Sequence, residues 1–385
     1  MAYVVIADGN SLCGNEQRVV GWVARPCQCR KREKCKNEKK RLSMRVFLVP
    51  AQAEKCYLSS MGAINGTAHT EIKGRLNGVR YSLYRGDCFT WMDSRPANSI
   101  HAVVTDPPYG LKEYTEEEKH KLRIRRGGVW RIPPSYDGCT RSPLPRFTVL
   151  TETELSELRS FFAKFAKCVF RVLVPGAHVF IATNPLLSHL VYLPLLESGF
   201  EKRGEVIRLV QTLRGGDRPK NAHQEFSDVS VMPRSAWEPW GLFRKPCEGR
   251  VQDNLRKWKT GGLRRQSAEA PFSDVIQSAP TRPEERTISP HPSLKPQSFM
   301  RQIVRAALPL GAGIVLDPFM GGGSTIAAAI AVGYESVGLE HDPAFFQTAL
   351  KAIPELSCLR GSVKSNSERA SLVDPVLQPR LELRD

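Results

Sequence analysis

The four residues Asp106-Pro107-Pro108-Tyr109 combine groups that suit chemistry on a planar amine. They follow an apolar run that is typical of a β-strand, so the loop is expected at the carboxyl end of a sheet strand, where ligands bind. Asp106 can accept one N–H of an amino group, the carbonyl oxygen of Pro107 can accept another, and Tyr109 can stack on a flat ring. The prolines stiffen the turn. The loop is therefore predicted to activate an exocyclic amine, which is a poor nucleophile because its lone pair is delocalised into the ring.

A second motif, Asp317-Pro318-Phe319-Met320-Gly321-Gly322-Gly323-Ser324-Thr325, lies between an apolar run and a helical pattern. Glycines at such a turn let the backbone approach a ligand closely, and the helix N-terminus favours anionic groups. The next apolar run ends at Glu340, where nucleotide-binding folds place an acid that holds ribose hydroxyl groups. This segment predicts a site for a nucleoside-containing ligand, formed by Asp317, Phe319, Gly321, Gly323, Ser324, Thr325 and Glu340.

Together the two motifs resemble those of the DNA amino-methyltransferase family. The first resembles its DPPY signature, in which glycine often follows, as Gly110 does. The second is similar to its DPFxGSGTT donor loop, with Gly322 and Ser324 as small replacements. Residues 291–296, HPSLKP, resemble its HPxxKP segment. The DPPY motif precedes the donor loop, which is the permuted order of the beta group of these enzymes.

The resemblance covers residues 77–350. It implies a Rossmann-like, S-adenosylmethionine-dependent methyltransferase with a doubly wound, seven-stranded, mostly parallel sheet and a circularly permuted motif order. It also implies that His291 and Lys295 lie beside the methionine part of the donor, that Asp87 approaches its adenine ring, and that double-stranded DNA is the partner. The target base would leave the duplex and stack on Tyr109. No metal is expected, because a sulfonium methyl group is already activated.

Alternating apolar runs and helical patterns predict the elements that position these residues. Strands are predicted over 79–87, 99–106, 177–183, 204–211, 227–232, 313–317 and 336–340, and helices over 154–173, 188–199 and 324–333. This alternation is typical of a parallel sheet covered by helices on both faces.

The formal net charge of +17 predicts a polyanionic partner. A membrane is the weaker candidate, because charged residues and Pro175 interrupt the most apolar region, residues 161–196. The N-terminus lacks the pattern of a signal peptide, so a cytoplasmic protein is expected. One cluster of thiols, Cys13, Cys27, Cys29 and Cys35, does not match common structural zinc spacings, and no metal site is predicted.

Two basic segments are candidates for DNA contact. Residues 244–265 carry eight Lys and Arg residues between the two motifs, where the family keeps its target-recognition region. Residues 112–146 follow the DPPY loop and form a second candidate. The predicted DNA-contacting residues are Arg256, Lys257, Trp258, Arg264, Arg265, Arg125 and Arg126.

The predicted organisation has five parts. A basic N-terminal extension over 1–75 precedes a catalytic half over 76–243, which carries an insert over 111–150. A target-recognition region over 244–290, a donor-binding half over 291–360 and a tail over 361–385 follow, in that order.

Several alternatives stay open. Asp106 at the first motif position favours adenine N6 over cytosine N4 as the target, because cytosine N4 enzymes of this kind more often have serine there. An RNA or protein amino-methyltransferase, which generally has the opposite motif order, and a non-catalytic basic DNA-binding protein are weaker hypotheses. A homodimer and a cognate restriction enzyme are compatible with the sequence, which does not identify either or the DNA site.

Overall fold

In the computed structural model, strands of this chain pair into one sheet. The structure describes residues 58–64, 67–108, 150–210, 216, 218–219 and 221–359, all within one unit that spans residues 52–385. The strands of the described residues are β1 Leu58–Ile64, β2 Thr67–Leu76, β3 Val79–Arg85, β4 Ile100–Thr105, β5 Leu173–Ala182, β6 Glu201–Leu209, β7 Trp237–Arg244, β8 Val275–Gln277, β9 Ile314–Asp317 and β10 Glu335–Glu340.

The order of the strands in the sheet is β1-β2-β3-β10-β9-β4-β5-β7-β6-β8. Strands β3, β10, β9, β4 and β5 are mutually parallel, and β7 runs antiparallel between β5 and β6. The stretch from β3 to β6 contains seven strands, as the resemblance implied, and β1, β2 and β8 extend it at its edges. The predicted mixed α/β fold with a large, mostly parallel sheet is therefore confirmed.

Helices cover both faces of the sheet. The helices of the described residues are α1 Cys88–Asp93, α2 Glu152–Val172, α3 Ser188–Glu197, α4 Val251–Trp258, α5 Pro283–Ile288, α6 Gln297–Ala307, α7 Ser324–Ala331 and α8 Pro343–Cys358. Side chains alternate along a strand. In β4, Val103 joins the core with Phe162 of α2, whereas Ala102 and Val104 join the opposite core with Phe299 of α6.

The amphipathic pattern over 154–173 forms α2 as predicted. The helix begins with a capping box, in which the Thr151 hydroxyl accepts the Glu154 N–H and the Glu154 carboxylate accepts the Thr151 N–H. It ends at Val172, and β5 begins at the next residue, Leu173. The DPPY loop and the insert were predicted between β4 and this helix, and residues 109–149 lie outside the described part of the chain.

The predicted strand over 227–232 is wrong. Those residues form turns and bends in which Val231 is exposed, and the strand lies instead at β7. The sequence of β7, WEPWGLFR, contains glutamate, proline and glycine, so it lacks the alternation of a half-buried strand. It nevertheless pairs on both sides, between β5 and β6, and buries Trp240 and Phe243 completely.

The predicted boundary at residue 76, between the N-terminal extension and the catalytic half, is also wrong. Strands β1 and β2 pair with each other, and β2 pairs with β3 from Thr70 to Leu76, so residues 58–64 and 67–75 belong to the sheet rather than to an N-terminal extension. Likewise, the predicted target-recognition region, residues 244–290, contributes β8, which pairs in parallel with β6.

None of the helices that the structure describes has the length and the apolarity that a membrane span requires.

Asn254 holds α4 against the beginning of β5. This fully buried side chain donates to the carbonyl oxygens of Pro175 at 3.0 Å and Thr260 at 2.8 Å, and it accepts the Glu248 N–H at 2.9 Å. Helix α4 is therefore fixed at the amino ends of the parallel strands.

We expect Asn254→Ala to lower the free energy of unfolding by about 2 kcal/mol, because it leaves buried backbone groups without partners. Urea denaturation followed by circular dichroism measures this change. Gln252→Ala, at an exposed position of the same helix, is the matched control and is expected to have little effect. Equal midpoints for both variants would contradict the anchoring role of Asn254.

Candidate active site

Four acidic residues lie at the carboxyl ends of four adjacent parallel strands. Asp87 follows β3, Glu340 ends β10, Asp317 ends β9 and Asp106 follows β4. Adjacent strands are about 4.8 Å apart, so the four acids form a row along one edge of the sheet. The acids that the sequence marked as chemically significant therefore share one edge, although they are far apart in the chain.

Asp106 has one engaged and one free carboxylate oxygen. Its Oδ2 lies 2.8 Å from the ammonium nitrogen of Lys295. Its Oδ1 is buried and accepts no hydrogen bond in the described part of the chain. Burial raises the pKa of Asp106, and the charge of Lys295 opposes this rise. An unsatisfied buried acceptor is costly, which marks Oδ1 as a position for a donor from a ligand.

Asp317 is buried directly beside Asp106. It accepts hydrogen bonds from the Thr105 hydroxyl at 2.7 Å and from the Phe319 N–H at 3.1 Å. Burial raises the pKa of Asp317 to about 6, against the opposing effect of hydrogen bonds from Thr325 and Thr105. Thr105 is the last residue of β4, so this hydrogen bond links the end of β4 to the glycine-rich turn.

The glycine-rich turn requires glycine for two different reasons. Gly321 and Gly323 have φ angles of 49° and 86°, in the left-handed region that other residues rarely adopt. At Gly322 the limit is space, because a Cβ atom would lie 2.5 Å from Ser289 Oγ and 2.7 Å from His291 Cβ. The turn is thus packed against the segment that resembles HPxxKP.

Glu340 faces the same turn. Its carboxylate accepts the Gly321 N–H at 2.9 Å and the Asp342 N–H at 2.8 Å. Burial raises its pKa. Asp342 in turn caps α8 by accepting the N–H groups of Ala344 and Phe345, so it has a structural role.

His291 is a neutral side chain at the rim of the turn. Its ring lies 4.4 Å from the ring of Phe345, and burial lowers its pKa to about 4. Its Nδ1 accepts the Ser293 N–H at 3.2 Å, which assigns the proton to Nε2. Lys295 donates its backbone N–H to the Ser324 hydroxyl at 3.2 Å, and its ammonium group contacts Asp106.

Asp87 has a clear local role. Its Oδ1 caps α1 by accepting the Thr90 N–H at 2.7 Å and the Thr90 hydroxyl at 2.8 Å. The preceding Gly86 donates its N–H to the Glu340 carbonyl oxygen at 3.0 Å, which places Asp87 beside Glu340. Its predicted contact with a donor's adenine ring stays a prediction.

A cleft that is partly open to solvent joins these residues. Among the residues predicted from sequence, its lining contains Asp106, His291, Lys295, Asp317, Phe319, Gly321, Ser324 and Thr325.

Residues outside the lining support the cleft. Glu340 contacts the lining residue Gly321, and the ring of Phe319 packs against Phe161 and Phe165 at centroid distances of 5.9 and 5.6 Å. Pro107 is buried and Pro108 is exposed, directly after Asp106.

Four polar residues at this edge were missed by the sequence analysis. Thr183 and Asn184 follow β5, next to the catalytic strand, and both are buried. Thr183 Oγ1 and Asn184 Nδ2 have no hydrogen-bond partner among the described residues. The sequence could have indicated these two residues, because two polar residues directly follow an apolar strand. The other two, Arg208 and Glu238, lie within β6 and β7, and nothing in the local sequence marks them.

The predicted DNA-contacting residues of α4 lie at the opposite edge of the sheet. Helix α4 packs at the beginning of β5, whereas Asp106 follows the end of β4. Arg256 pairs with Asp253, and both Lys257 and the Trp258 indole N–H contact Glu248. These side chains are therefore not brought together with the catalytic loop.

Arg264 and Arg265 are engaged within the chain. The Arg264 guanidinium donates to the Tyr334 hydroxyl at 2.7 Å, close to the beginning of β10, and Arg265 donates to the carbonyl oxygens of Ala268 and Glu269. The Arg264 side chain is half-buried against Tyr334, and its predicted contact with DNA stays a prediction. The remaining candidates, Tyr109, Arg125 and Arg126, lie outside the described residues, as do the four clustered cysteines.

The chain belongs to the DNA methylase family of N6 and N4 methyltransferases. The sequence profile of this family matches residues 100–351, which is more than half of the chain. The match includes both motifs and confirms the resemblance that they indicated. The family depends on S-adenosylmethionine.

Individual relatives are similar over most of their length. The type II methyltransferase M.HindIII of Haemophilus influenzae is 24% identical over 297 residues, which are 70% of this chain and 94% of that protein. The type II methyltransferase M.MjaI of Methanocaldococcus jannaschii is 25% identical over 269 residues, which are 65% of this chain and 84% of that protein. A solved structure of an M1.HpyAVI–SAM complex matches with a TM-score of 0.42 and 18% identity, covering 71% of this chain and 98% of that one.

We expect Gly322→Ala to destabilise the protein by about 1–3 kcal/mol, because its Cβ has no room between Ser289 and His291. Thermal unfolding measures the loss. Gly262→Ala is the matched control, since a Cβ at Gly262 meets no atom within 4 Å. Removing the Ser289 hydroxyl in a Ser289→Ala/Gly322→Ala variant should recover part of the loss. A Gly322→Ala protein as stable as the Gly262→Ala control would show that the turn is not packed in this way.

Proposed function

We propose that this protein is a site-specific DNA methyltransferase that transfers a methyl group from S-adenosylmethionine to the exocyclic amine of an extruded base, with adenine N6 as the preferred target. The observation that carries the proposal is the buried Oδ1 of Asp106, which accepts no hydrogen bond from the described residues and lies at a cleft lined by the glycine-rich turn. Membership of the DNA methylase family supports DNA as the substrate.

The residues around the cleft suit the methyl donor. Asp317 and Glu340 offer acidic groups for an ammonium group and for ribose hydroxyls, respectively, and the glycine-rich turn allows close backbone approach. Phe319 and the neutral ring of His291 offer apolar and aromatic surface. When bound, the donor supplies a methyl group that the sulfonium centre has already activated.

Asp106 and Pro107 would hold the amine of the target base. Oδ1 of Asp106 and the Pro107 carbonyl oxygen accept its two N–H groups, which draws the nitrogen lone pair out of conjugation with the ring. The nitrogen forms the new bond to the methyl carbon while the sulfur keeps the electron pair of the bond that breaks. One amine proton then leaves to Asp106 and from there to solvent, so charges and atoms balance.

The choice of base rests on fewer observations. Asp106 at the first motif position favours adenine, as the resemblance implies. Thr183 and Asn184 are buried after β5, the strand adjacent to β4, and their polar atoms Oγ1 and Nδ2 have no partner among the described residues, so they offer hydrogen bonds to ring nitrogens. Adenine and cytosine both have ring nitrogens that can form such hydrogen bonds, so cytosine N4 is the alternative target. Analysis of the methylated nucleoside separates the two targets.

The contacts with duplex DNA belong to the proposal as well. A net charge of +17 favours phosphate binding, and Arg125 and Arg126 follow the catalytic loop in sequence. Arg256, Lys257, Trp258 and Arg265 would have to contact DNA beyond the cleft, since they lie toward the amino ends of the strands. The type II relatives support a role in a restriction–modification system.

We expect Asp106→Asn to lower the rate of DNA methylation at least about a hundredfold. The carbonyl oxygen of the amide would take the place of Oδ2 beside Lys295, so the NH2 group would donate where the amine needs an acceptor. Labelled methyl transfer to duplex DNA, followed by nucleoside analysis, measures the rate and identifies the base. Asp274→Asn, at an exposed position outside the cleft, is the matched control. An Asp106→Asn protein that methylates DNA at the rate of this control would refute the mechanism.

Donor binding should depend on pH through Asp317. Because burial raises its pKa to about 6, the ligand-free protein takes up a proton there as the pH falls through 6, and the carboxylate is lost for a cationic donor. We expect the affinity for S-adenosylmethionine to fall about tenfold between pH 8 and pH 5. Calorimetry at a series of pH values tests this.

In Asp317→Asn, the affinity is expected to be low and nearly independent of pH over the same range. A wild-type affinity that does not change between pH 8 and pH 5, or an Asp317→Asn protein with the wild-type pH dependence, would contradict the role of Asp317.

A further inference from the structure

A row of four alternating charges leads from the interior of the sheet to the catalytic loop. Arg208 Nη1 lies 3.0 Å from Glu238 Oε2, Glu238 Oε1 lies 3.4 Å from Lys295 Nζ, and Lys295 Nζ lies 2.8 Å from Asp106 Oδ2. The four side chains are 6, 16, 11 and 17% exposed, in that order from Arg208 to Asp106. They come from β6, β7, the segment before α6 and the loop after β4, so the row is a product of the tertiary fold.

The inner end of the row is firmly fixed. The Arg208 guanidinium also donates to the Ser278 hydroxyl at 3.0 Å and to the Ala279 carbonyl oxygen at 3.2 Å. Glu238 Oε1 accepts the indole N–H of Trp240 at 2.9 Å. Glu238 therefore presents a fixed negative charge to Lys295, whose ammonium group lies between two carboxylates.

Such a row is poorly explained by stability alone. Taking charges out of water costs several kcal/mol per ion, and apolar replacements of buried ion pairs are often neutral or stabilising. The outer end of this row, by contrast, is the carboxylate proposed to hold the amine. Buried charge networks with this placement are typical of functional sites.

We propose that Lys295 and Glu238 are positioning residues for methyl transfer. Lys295 holds Oδ2 of Asp106 and so leaves Oδ1 directed to the amine, and Glu238, anchored by Arg208, holds Lys295 in place. This inference rests on the proposed function and assigns Lys295 to the catalytic carboxylate, in addition to the donor contact that the sequence resemblance implied.

The two residues should act on Asp106 in opposite directions. Lys295 provides the positive charge that favours the Asp106 carboxylate, whereas the negative charge of Glu238 disfavours it. The other charged groups that face Asp106 are Arg208 behind Glu238 and Asp317 on the adjacent strand. His291, near Lys295, is neutral above about pH 4.

Removing each charge therefore predicts a distinct shift in the pH dependence of kcat. The acid limb of the pH profile is the range in which kcat falls because Asp106 is protonated. Lys295→Met leaves Asp106 facing Glu238, which raises the pKa of Asp106, so this limb should move to higher pH by at least about one unit. Glu238→Gln keeps the size of the side chain and one acceptor oxygen, removes the negative charge, and leaves the charge of Lys295 to Asp106. This lowers the pKa of Asp106, and the acid limb should move to lower pH.

The experiment measures kcat for DNA methylation between pH 5 and pH 9 at saturating donor and DNA, with the full-length protein. The Glu238→Gln/Lys295→Met double variant should have an acid limb between those of the single variants, and Lys295→Arg should restore most of the wild-type profile. Glu205→Gln is the matched control, because Glu205 pairs with Lys202 at 2.9 Å on the same strand as Arg208 but outside the cleft. Its profile should equal that of the wild type.

The outcomes separate the inference from the proposed function. Opposite shifts of the two acid limbs support the positioning role. Acid limbs that coincide with the wild type, or that move in the same direction in both variants, overturn it and leave the proposed function intact. Should Lys295→Met fail to fold, Glu238→Gln decides: an acid limb at lower pH than that of the wild type supports the inference, and an acid limb at the same or higher pH overturns it. A wild-type protein that transfers no methyl group to DNA refutes the proposed function itself.

Discussion

The site depends on one ion pair, between Asp106 and Lys295. A carboxylate buried after β4 would lose its charge without a cation nearby, and Lys295 supplies that cation at 2.8 Å. Both groups come from backbone that is fixed by other contacts: Asp106 follows β4, in which five of the six residues are buried, and the Lys295 backbone N–H donates to Ser324 at the start of α7. The pair therefore ties the end of β4 to the segment that packs on the glycine-rich turn.

The order of strands explains how two distant motifs meet. Asp106 and Asp317 are 211 positions apart in the sequence, yet β4 and β9 are adjacent and parallel in the sheet. The Thr105 hydroxyl, at the end of β4, also links the two strand ends by donating to Asp317 at 2.7 Å. Because ligands of open α/β sheets bind beyond the carboxyl ends of the strands, adjacency at that edge is sufficient to create a joint site. The motif order along the chain is of no consequence for this geometry.

The sequence predicts what is local and fails where contacts are long-range. The four acids at strand ends were found because each follows a recognisable apolar run, and α2 was found because its apolar residues repeat at helical spacing. Strand β7 was missed because Pro239 and Gly241 interrupt its pattern, and its pairing is decided by β5 and β6 on either side. Glu238 was missed with it. The position of α4 could not be read from its charge, because the buried Asn254, rather than any basic residue, fixes the helix at the amino edge.

The most direct test of the account is a crystal structure of the protein with duplex DNA and S-adenosylhomocysteine, the methyl-free form of the donor. The account predicts that the exocyclic nitrogen of an extruded base lies about 3 Å from Asp106 Oδ1, with Lys295 still bound to Oδ2. A complex in which the base remains stacked in the duplex, or in which Asp106 Oδ1 binds no group of the base, would contradict it.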